Sequence, residues 1–344
     1  MASLQLGVDL ERVELGEGPT PLRELSRLGE ARGLAPVWIK DDGAYSPLGG
    51  NKARKLEWLL ADARGRGKRT IITGGALGTN HGLACAMFAR RLGMRTVLVL
   101  VPQPCTEHVR RQLGRMRESG AELHFARGVR WAFALTAWLM LRHSTPRLSP
   151  PYLLLPGGSV PLGCVGYVAA AFELADQVAA GEVPEPSHVV VALGSGGTAA
   201  GLFAGLKLAG LRSRVVCILV NDLIRVDERT VTTLARRTLR LLRKRGATIP
   251  RLEVSSADLK LERGWLGAGY GHPTAEAERA IDLLAEREAV VLDPVYTAKA
   301  VAALLELNRR GDFGPGPVLY WHTYGSPDPE PGALAEQETG ARAG

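Results

Sequence analysis

Two short stretches, far apart in the chain, carry residue types that can act together. Gly49-Gly50-Asn51-Lys52 places one lysine on a tight turn at the start of a helix-like run. Gly194, Ser195, Gly196, Gly197 and Thr198 form a Gly-rich turn between the apolar run 189–193 and a helix-like start at 199–202. Backbone N–H groups at such a turn, two hydroxyls and a helix dipole together bind a phosphate. A lysine attacks an aldehyde only after losing its proton, so it needs a site that disfavours its charge. The glycines leave room for a planar ring, and Asn51 can cap the helix or hydrogen-bond a ligand. An amine beside a phosphate cradle suits pyridoxal 5′-phosphate (PLP), carried by Lys52 as a Schiff base. Singly, Lys52 and Lys55 read as surface lysines and 194–198 as an ordinary strand-to-helix turn. It is the pairing that points to chemistry. The turn contains no Gly-Lys-Ser or Gly-Lys-Thr, which excludes a Walker-type nucleotide loop.

A third turn, Thr73-Gly74-Gly75-Ala76-Leu77-Gly78-Thr79-Asn80-His81, also follows an apolar run. A dinucleotide site would need an acidic residue at the end of the next strand, which here reads Leu100-Val101-Pro102-Gln103. The turn is better read as a polar wall in which Thr79, Asn80 and His81 present a hydroxyl, an amide and an imidazole. A substrate carboxylate and a cofactor hydroxyl can both be bound there. Tyr270, among glycines, and Tyr296, at a helix start, are phenols placed to orient a substrate or move protons. Tyr296 reads equally well as core.

These residues need elements to hold them. Candidate strands lie at 37–40, 70–73, 96–101, 122–125, 152–155, 188–193, 214–219, 289–292 and 317–321. Several are short and continuously apolar, as parallel strands covered on both faces are. Helix-like runs alternate with them, at 52–63, 82–92, 107–118, 163–179, 199–209 and 295–309. The pattern predicts an α/β protein of mostly parallel sheets with flanking helices. Gly/Pro-rich breaks at 42–50 and 155–161 predict two domains. The large one comprises 1–48 and 163–326, the small one 49–162, and a loose tail follows at 327–344.

The chain has 344 residues, 46% hydrophobic and 23% charged, with a net charge of +8. Nucleic-acid binding would need that charge focused on one surface. The densest basic stretch, 236–251, alternates with Leu234, Leu239, Leu241 and Leu242 and reads as the solvated face of an amphipathic helix. No aromatic residues interleave there to stack on bases. No nucleic-acid partner is expected. No apolar run reaches membrane-spanning length, so no membrane partner is expected either. The start, Met1-Ala2-Ser3-Leu4-Gln5, lacks a basic segment followed by an apolar one, which makes cytoplasm the expected compartment. The four cysteines, Cys85, Cys105, Cys164 and Cys217, form no Cys-x-x-Cys and read as free thiols. The seven histidines show no metal-ligand spacing, and no metal is expected.

In their order along the chain these motifs resemble the D-cysteine desulfhydrase / 1-aminocyclopropane-1-carboxylate (ACC) deaminase family. Those are PLP enzymes of the tryptophan-synthase-β fold type, fold type II. The resemblance is carried by Lys40-Asp41-Asp42, by Gly49-Gly50-Asn51-Lys52-Ala53-Arg54-Lys55-Leu56-Glu57 and by Thr79-Asn80-His81. Pro156-Gly157-Gly158-Ser159, the turn 194–198, Gly269-Tyr270-Gly271, Asp293-Pro294-Val295-Tyr296 and His322-Thr323 continue it. It covers nearly the whole chain, to about Gly325.

The resemblance implies that Lys52 carries PLP and moves the substrate proton. It implies that Asn80 bonds the PLP phenolic oxygen and that Gly194, Ser195, Gly196, Gly197 and Thr198 hold the phosphate, with Asn51 beside the lysine. Thr79, Asn80, His81 and Ser159 would meet the substrate, and Tyr270 and Tyr296 would flank it. Thr323, or else Thr297, would face the pyridine nitrogen. ACC deaminases carry glutamate where Thr297 stands, which favours the desulfhydrase side. Three positions depart from the family: Thr79 replaces serine, Val160 an asparagine, and Tyr324 a glycine. Tyrosine at 324 would be strained if that position needs glycine-only angles.

The expected function is β-elimination and deamination of a small amino acid, D-cysteine first, to pyruvate, ammonia and sulfide. The alternatives are ACC deamination and a PLP-binding protein without lyase activity. A homodimer is the expected assembly.

Overall fold

The protein is described by a computed structural model over residues 7–28, 34–46, 50–144 and 150–325. Gly49, the boundary expected at 48/49 and the tail expected at 327–344 lie outside those residues. The first half of the chain runs through β1 (Leu22–Glu24), β2 (Val37–Asp41), α1 (Asn51–Gly65), β3 (Thr70–Ala76), α2 (Asn80–Arg91), β4 (Arg95–Val101), α3 (Glu107–Glu118), β5 (Glu122–Phe125), α4 (Val129–Arg142) and β6 (Tyr152–Leu153). The second half runs through α5 (Pro161–Ala179), β7 (His188–Leu193), α6 (Gly197–Leu208), β8 (Arg214–Leu219), α7 (Glu228–Lys244), β9 (Leu259–Glu262), α8 (Ala275–Glu288), α9 (Thr297–Arg309) and β10 (Val318–His322).

These elements build two sheets that share no strand. One has six strands in the order β1-β2-β10-β7-β8-β9, and the other four in the order β5-β4-β3-β6. Every pairing is parallel except β1 with β2. The apolar run of β7 explains the layering. Val189 and Val191 point into one core with α5, α6 and α7, while Val190 points into another with α8 and α9. A strand apolar on both faces is covered on both faces.

Helix α1, which starts with Asn51 and Lys52, belongs to both halves. Leu56, Leu59 and Leu60 pack with β3 and α2, while Trp58 joins the core of the six-stranded sheet. A buried ion network fixes its start. Arg54 pairs with Asp42 at 2.8 Å and with Glu173 at 3.0 Å, and Lys40 pairs with Glu173 at 2.7 Å. Tyr167 donates to the other Asp42 oxygen at 2.9 Å. Charges buried this deeply persist only when paired, so the network ties β2, α1 and α5 into one geometry.

Three expectations need correction. The segment 289–292 is no strand. Ala289 takes a left-handed turn (φ 53°) that ends α8, and Val290 and Leu292 bury themselves as a cap on the core behind it. An apolar run closing a helix and a buried strand look alike in sequence. Strands β1 and β9, short and partly polar, escaped the pattern. Helix α5 is, among the described residues, long and apolar enough to cross a membrane, yet it packs between α1 and α6 as a core helix. The basic stretch begins on the exposed face of α7 and runs past its end at Lys244; the other face of α7 buries Val231, Ala235, Leu239 and Leu242.

Candidate active site

A cleft of ≈ 530 Å³ is lined from both sheets, by the turns leaving the carboxyl ends of β3 and β7. All the expected site residues, Asn51, Lys52, Thr79, Asn80, His81, Ser159, Gly194, Ser195, Gly196, Gly197, Thr198, Tyr270, Tyr296 and Thr323, line it.

Lys52 lies in the first turn of α1, which follows Gly50 at φ 44°. Its Nζ donates to Asn51 Oδ1 at 2.9 Å. Burial lowers the amine to about 8, against the opposing pull of the Asp293 carboxylate. A usable fraction of it is therefore unprotonated near neutrality, as nucleophilic lysines require.

The β7–α6 turn is a cradle. Gly196 is left-handed (φ 87°) and α6 begins at Gly197. Ser159 Oγ accepts from the Gly197 N–H at 3.0 Å and lies 2.7 Å from Ser195 Oγ. Lys55 Nζ donates to Gly157 O at 3.1 Å, and a Cβ on Gly197 would come within 2.9 Å of that Nζ. A Cβ on Gly194 would press on the Tyr296 ring at 3.0 Å. Backbone N–H groups, three hydroxyls and a buried ammonium thus surround a space kept open by glycines. That donor set fits the phosphate of PLP. Lys55 is lowered to about 7 by burial and then by the charge of Lys52. A phosphate would relieve this buried cation.

Ser159, which the resemblance put with the substrate, makes both of these contacts with the cradle. Of the two threonines, Thr323 lines the cleft. Thr297 is buried, its hydroxyl donating to Asp293 Oδ2 and accepting from the Asp293 N–H, each at 2.7 Å. Its one proton is spent, so it has none left to donate to a ligand.

At the other end, Thr79 Oγ1 accepts from the Gly82 N–H at 3.1 Å and so caps α2. Its own proton stays available to donate. Asn80 Oδ1 accepts from Gln112 Nε2, which leaves the amide N–H₂ as the group that can donate. His81 is buried, with Nε2 3.4 Å from Thr73 Oγ1 and Nδ1 unpartnered among the described residues. Burial, then Lys52 and Lys55, press it down to about 3, so it is neutral. Tyr270 and Tyr296 meet hydroxyl to hydroxyl at 2.5 Å, with rings edge-on at 5.8 Å. Burial raises Tyr270 to about 12 and Tyr296 well above the ordinary tyrosine value. Both are neutral phenols able to donate and accept. Asp222 holds the Tyr270 N–H at 3.0 Å, and Asp293 holds the Tyr296 N–H at 2.7 Å.

Sequence reasoning missed three residues here. Lys55 was three residues from Lys52, on the same helical face, and that spacing was the available signal. Asp293 carried an Asp-Pro helix-start signature; its carboxylate accepts from residues 295, 296 and 297 and acts on Lys52. Gln112, on α3, gave no local sign. The departures also read differently. Among the described residues only Ala289 is a non-glycine with positive φ, so Tyr324 is not strained. Val160 packs into the α1 core instead of lining the cleft. Among the described residues no cluster of His, Cys, Asp or Glu is arranged to hold a metal ion.

Residues 13–323 match the family described as pyridoxal-phosphate dependent enzyme. A D-cysteine desulfhydrase of Klebsiella pneumoniae (strain 342) is 36% identical over 332 residues, covering 94% of this chain and 97% of that protein. One of Salmonella choleraesuis (strain SC-B67) is 36% identical over 323 residues, covering 92% and 94%. A crystal structure described as an ACC deaminase homologue superposes with a TM-score of 0.78 at 31% identity, covering 94% of each chain. A mutant of O-ureido-L-serine synthase with O-ureido-L-serine bound covers 94% of this chain and 97% of its own, at a TM-score of 0.62 and 18% identity. That last likeness is one of fold.

Proposed function

The chain belongs to the pyridoxal-phosphate dependent enzymes, and from that premise we propose that it converts D-cysteine and water to pyruvate, ammonia and hydrogen sulfide. The observation that carries this reading is Lys52, an amine lowered to about 8 in the same cleft as a phosphate-fitting cradle and the Tyr270–Tyr296 pair. The likeness to D-cysteine desulfhydrases over nearly the whole chain supports the substrate.

When bound, PLP supplies an electron sink for the charge left at Cα after proton loss. The chain's own groups do the rest. Lys55, Ser195, Thr198, Ser159 and the backbone of the β7–α6 turn would hold the phosphate. Asn80, braced by Gln112, would donate to the ring's phenolic oxygen, and Thr323 would serve the ring nitrogen. Thr79, Asn80 and His81, at the start of α2, take the substrate carboxylate where helix N–H groups are free. Lys52 removes the Cα proton. Tyr270 and Tyr296, neutral and hydrogen-bonded to each other, pass a proton toward the leaving sulfur.

ACC deamination is the second reading, favoured by the ACC deaminase homologue's structure. Thr297, used up by Asp293, weighs against it, because the glutamate expected there is absent. We read residues 1–48 with 163–326 as one domain and 49–162 as the other, supported by the two separate sheets. A cytoplasmic homodimer completes the reading. Free thiols at Cys85, Cys105, Cys164 and Cys217 support the compartment. The outward apolar stripe Trp131, Trp138 and Leu141 on α4 supports a covered face.

The test is a panel of D- and L-amino acids with ACC, followed by keto acid, ammonia and sulfide release. Pyruvate with sulfide from D-cysteine is expected. A keto acid from ACC without sulfide from D-cysteine would install the second reading. Inertness toward the whole panel would leave a PLP-binding protein without lyase activity. Light scattering of the eluting protein reads the assembly.

A further inference from the structure

The cleft holds one charged group that the proposed chemistry leaves unused. Arg115 lines it, half-buried, from α3. The other charged lining residues are engaged: Lys52 with Asn51, Lys55 with Gly157 and Asp293 with its own turn. The Arg115 guanidinium makes no hydrogen bond or ion pair with any described residue.

Its neighbours place it at the substrate end. Arg115 lies one turn beyond Gln112, which braces Asn80, and two turns beyond His108, whose ring is 6.4 Å from that of Tyr324. His108, Gln112 and Arg115 share one face of α3. His108 is lowered first by burial; Asp293 pulls it up, and Arg111 and Arg115 push it down. One ring thus feels both Arg115 and the carboxylate beside Tyr296. The lining of the same cleft includes the apolar Val99, Val101, Val129, Ala132, Phe133 and Leu223. Apolar side chains return no hydrogen bond to a guanidinium. A planar fork of five donors in such surroundings matches a carboxylate. The substrate's own carboxylate is already provided for at the start of α2.

We propose that Arg115 binds a carboxylate at the far end of the substrate's β-substituent, so that the preferred substrate is an S-(carboxyalkyl)cysteine and not free cysteine. The proposal rests on the β-elimination reading. The Cα–H and Cβ–S bonds break, and the sulfur leaves with its electron pair and its carboxyalkyl stem and takes up a proton. Water completes release of the three-carbon remainder as pyruvate and of the nitrogen as ammonia. The stem lies along Val101, Ala132 and Phe133, and its terminal carboxylate meets Arg115.

The experiment uses the PLP-loaded protein and its Arg115→Gln and Arg115→Lys variants. The first readout is binding, by calorimetry, of glutarate against butyrate, two unreactive acids that differ by a second carboxylate. Wild type should prefer glutarate by about 10- to 100-fold, the value of charge-assisted hydrogen bonds. Arg115→Gln should erase the preference, and Arg115→Lys should restore part of it. The second readout is kcat/KM for S-(2-carboxyethyl)-D-cysteine against S-propyl-D-cysteine, where the same collapse is expected. Equal binding of the two acids by wild type would overturn the proposal, as would a preference that survives Arg115→Gln. Equal loss of both conjugates in that variant would show Arg115 acting on their common part, which also overturns it. If neither conjugate nor D-cysteine reacts, the elimination reading fails instead, and the binding readout still judges Arg115.

Discussion

The turns that leave β3 and β7 look alike in sequence and are built differently. Both follow a buried parallel strand, both are rich in glycine, and both line the cleft. In the β7 turn the glycines make the site. Gly196 turns left-handed, α6 opens at Gly197, and the donors are largely backbone, backed by Ser159 and Lys55 from elsewhere. In the β3 turn the glycines extend the strand. Gly74 lies so close to β4 that a Cβ would stand 2.7 Å from Val99 O. The chemistry there falls to side chains, with Thr79 capping α2 and Asn80 held by Gln112. The phosphate end is thus fixed by backbone, and the substrate end by side chains with second duties. Loss of one side chain should weaken the first end gradually and disturb the second more sharply.

The largest effect should come from Lys52, which stands between the two turns. Lys52→Ala should lower turnover by about 10⁴-fold or more, because nucleophile and proton carrier go together. Borohydride reduction of the wild type followed by peptide mapping should place the pyridoxyl group on Lys52. A label on Lys55 would break the comparison, since the cradle's cation would then be the nucleophile.

Next, Lys55→Gln should weaken PLP retention by about 10- to 100-fold, the range for hydrogen bonds to a charged group. Ser195→Ala combined with Thr198→Ala should do less, because backbone donors remain. Titration of the cofactor-free variants, with circular dichroism to confirm folding, ranks them. A double mutant weaker than Lys55→Gln would show that hydroxyls and not backbone build the cradle.

Thr79 tests the other turn. Thr79→Val removes an acceptor that caps α2, a loss of about 1 kcal/mol in stability, as well as the proton the hydroxyl can donate. Thr79→Ser keeps both. Serine should retain turnover, while valine should lose most of it and melt earlier. Equal turnover of the threonine, serine and valine forms would leave the hydroxyl a cap and nothing more.

The smallest effect is on stability against pH. Lys52 and Lys55 hold values of about 8 and about 7 in the folded protein, below the ordinary 10.5. Between those values and 10.5 the unfolded chain binds more protons, so stability of the cofactor-free protein should rise with pH across that window. Below about 7 both lysines are charged in both states and add no further slope. Thermal unfolding from pH 6 to 10 reads this, and Lys55→Gln should flatten the lower part of the rise.

Much of this protein was legible in its residues. Alternating apolar runs gave the α/β class, and β7 and β8 fall where the pattern placed them, because strands buried on both faces leave continuous apolar segments. Lys52 and the turn 194–198 were legible because glycines and a lysine at a helix start have few other uses together. The run 289–292 misled because burial, and not strand pairing, is what an apolar run reports. Strands β1 and β9 were invisible because edge strands need no apolar code.

What the sequence by itself determined is the set of local devices: helix starts, glycine turns, buried strands and the residue types that fit PLP. Those depend on neighbours a few residues away, and the chain writes them in order. Which groups meet was decided by tertiary structure alone. Ser159 turned to the cradle, Thr297 was spent on Asp293, Gln112 reached Asn80 across 32 positions, and Arg115 was left unpaired in the cleft. A polar side chain's role follows from what remains within hydrogen-bonding distance after the cores have packed, and no periodicity encodes that distance.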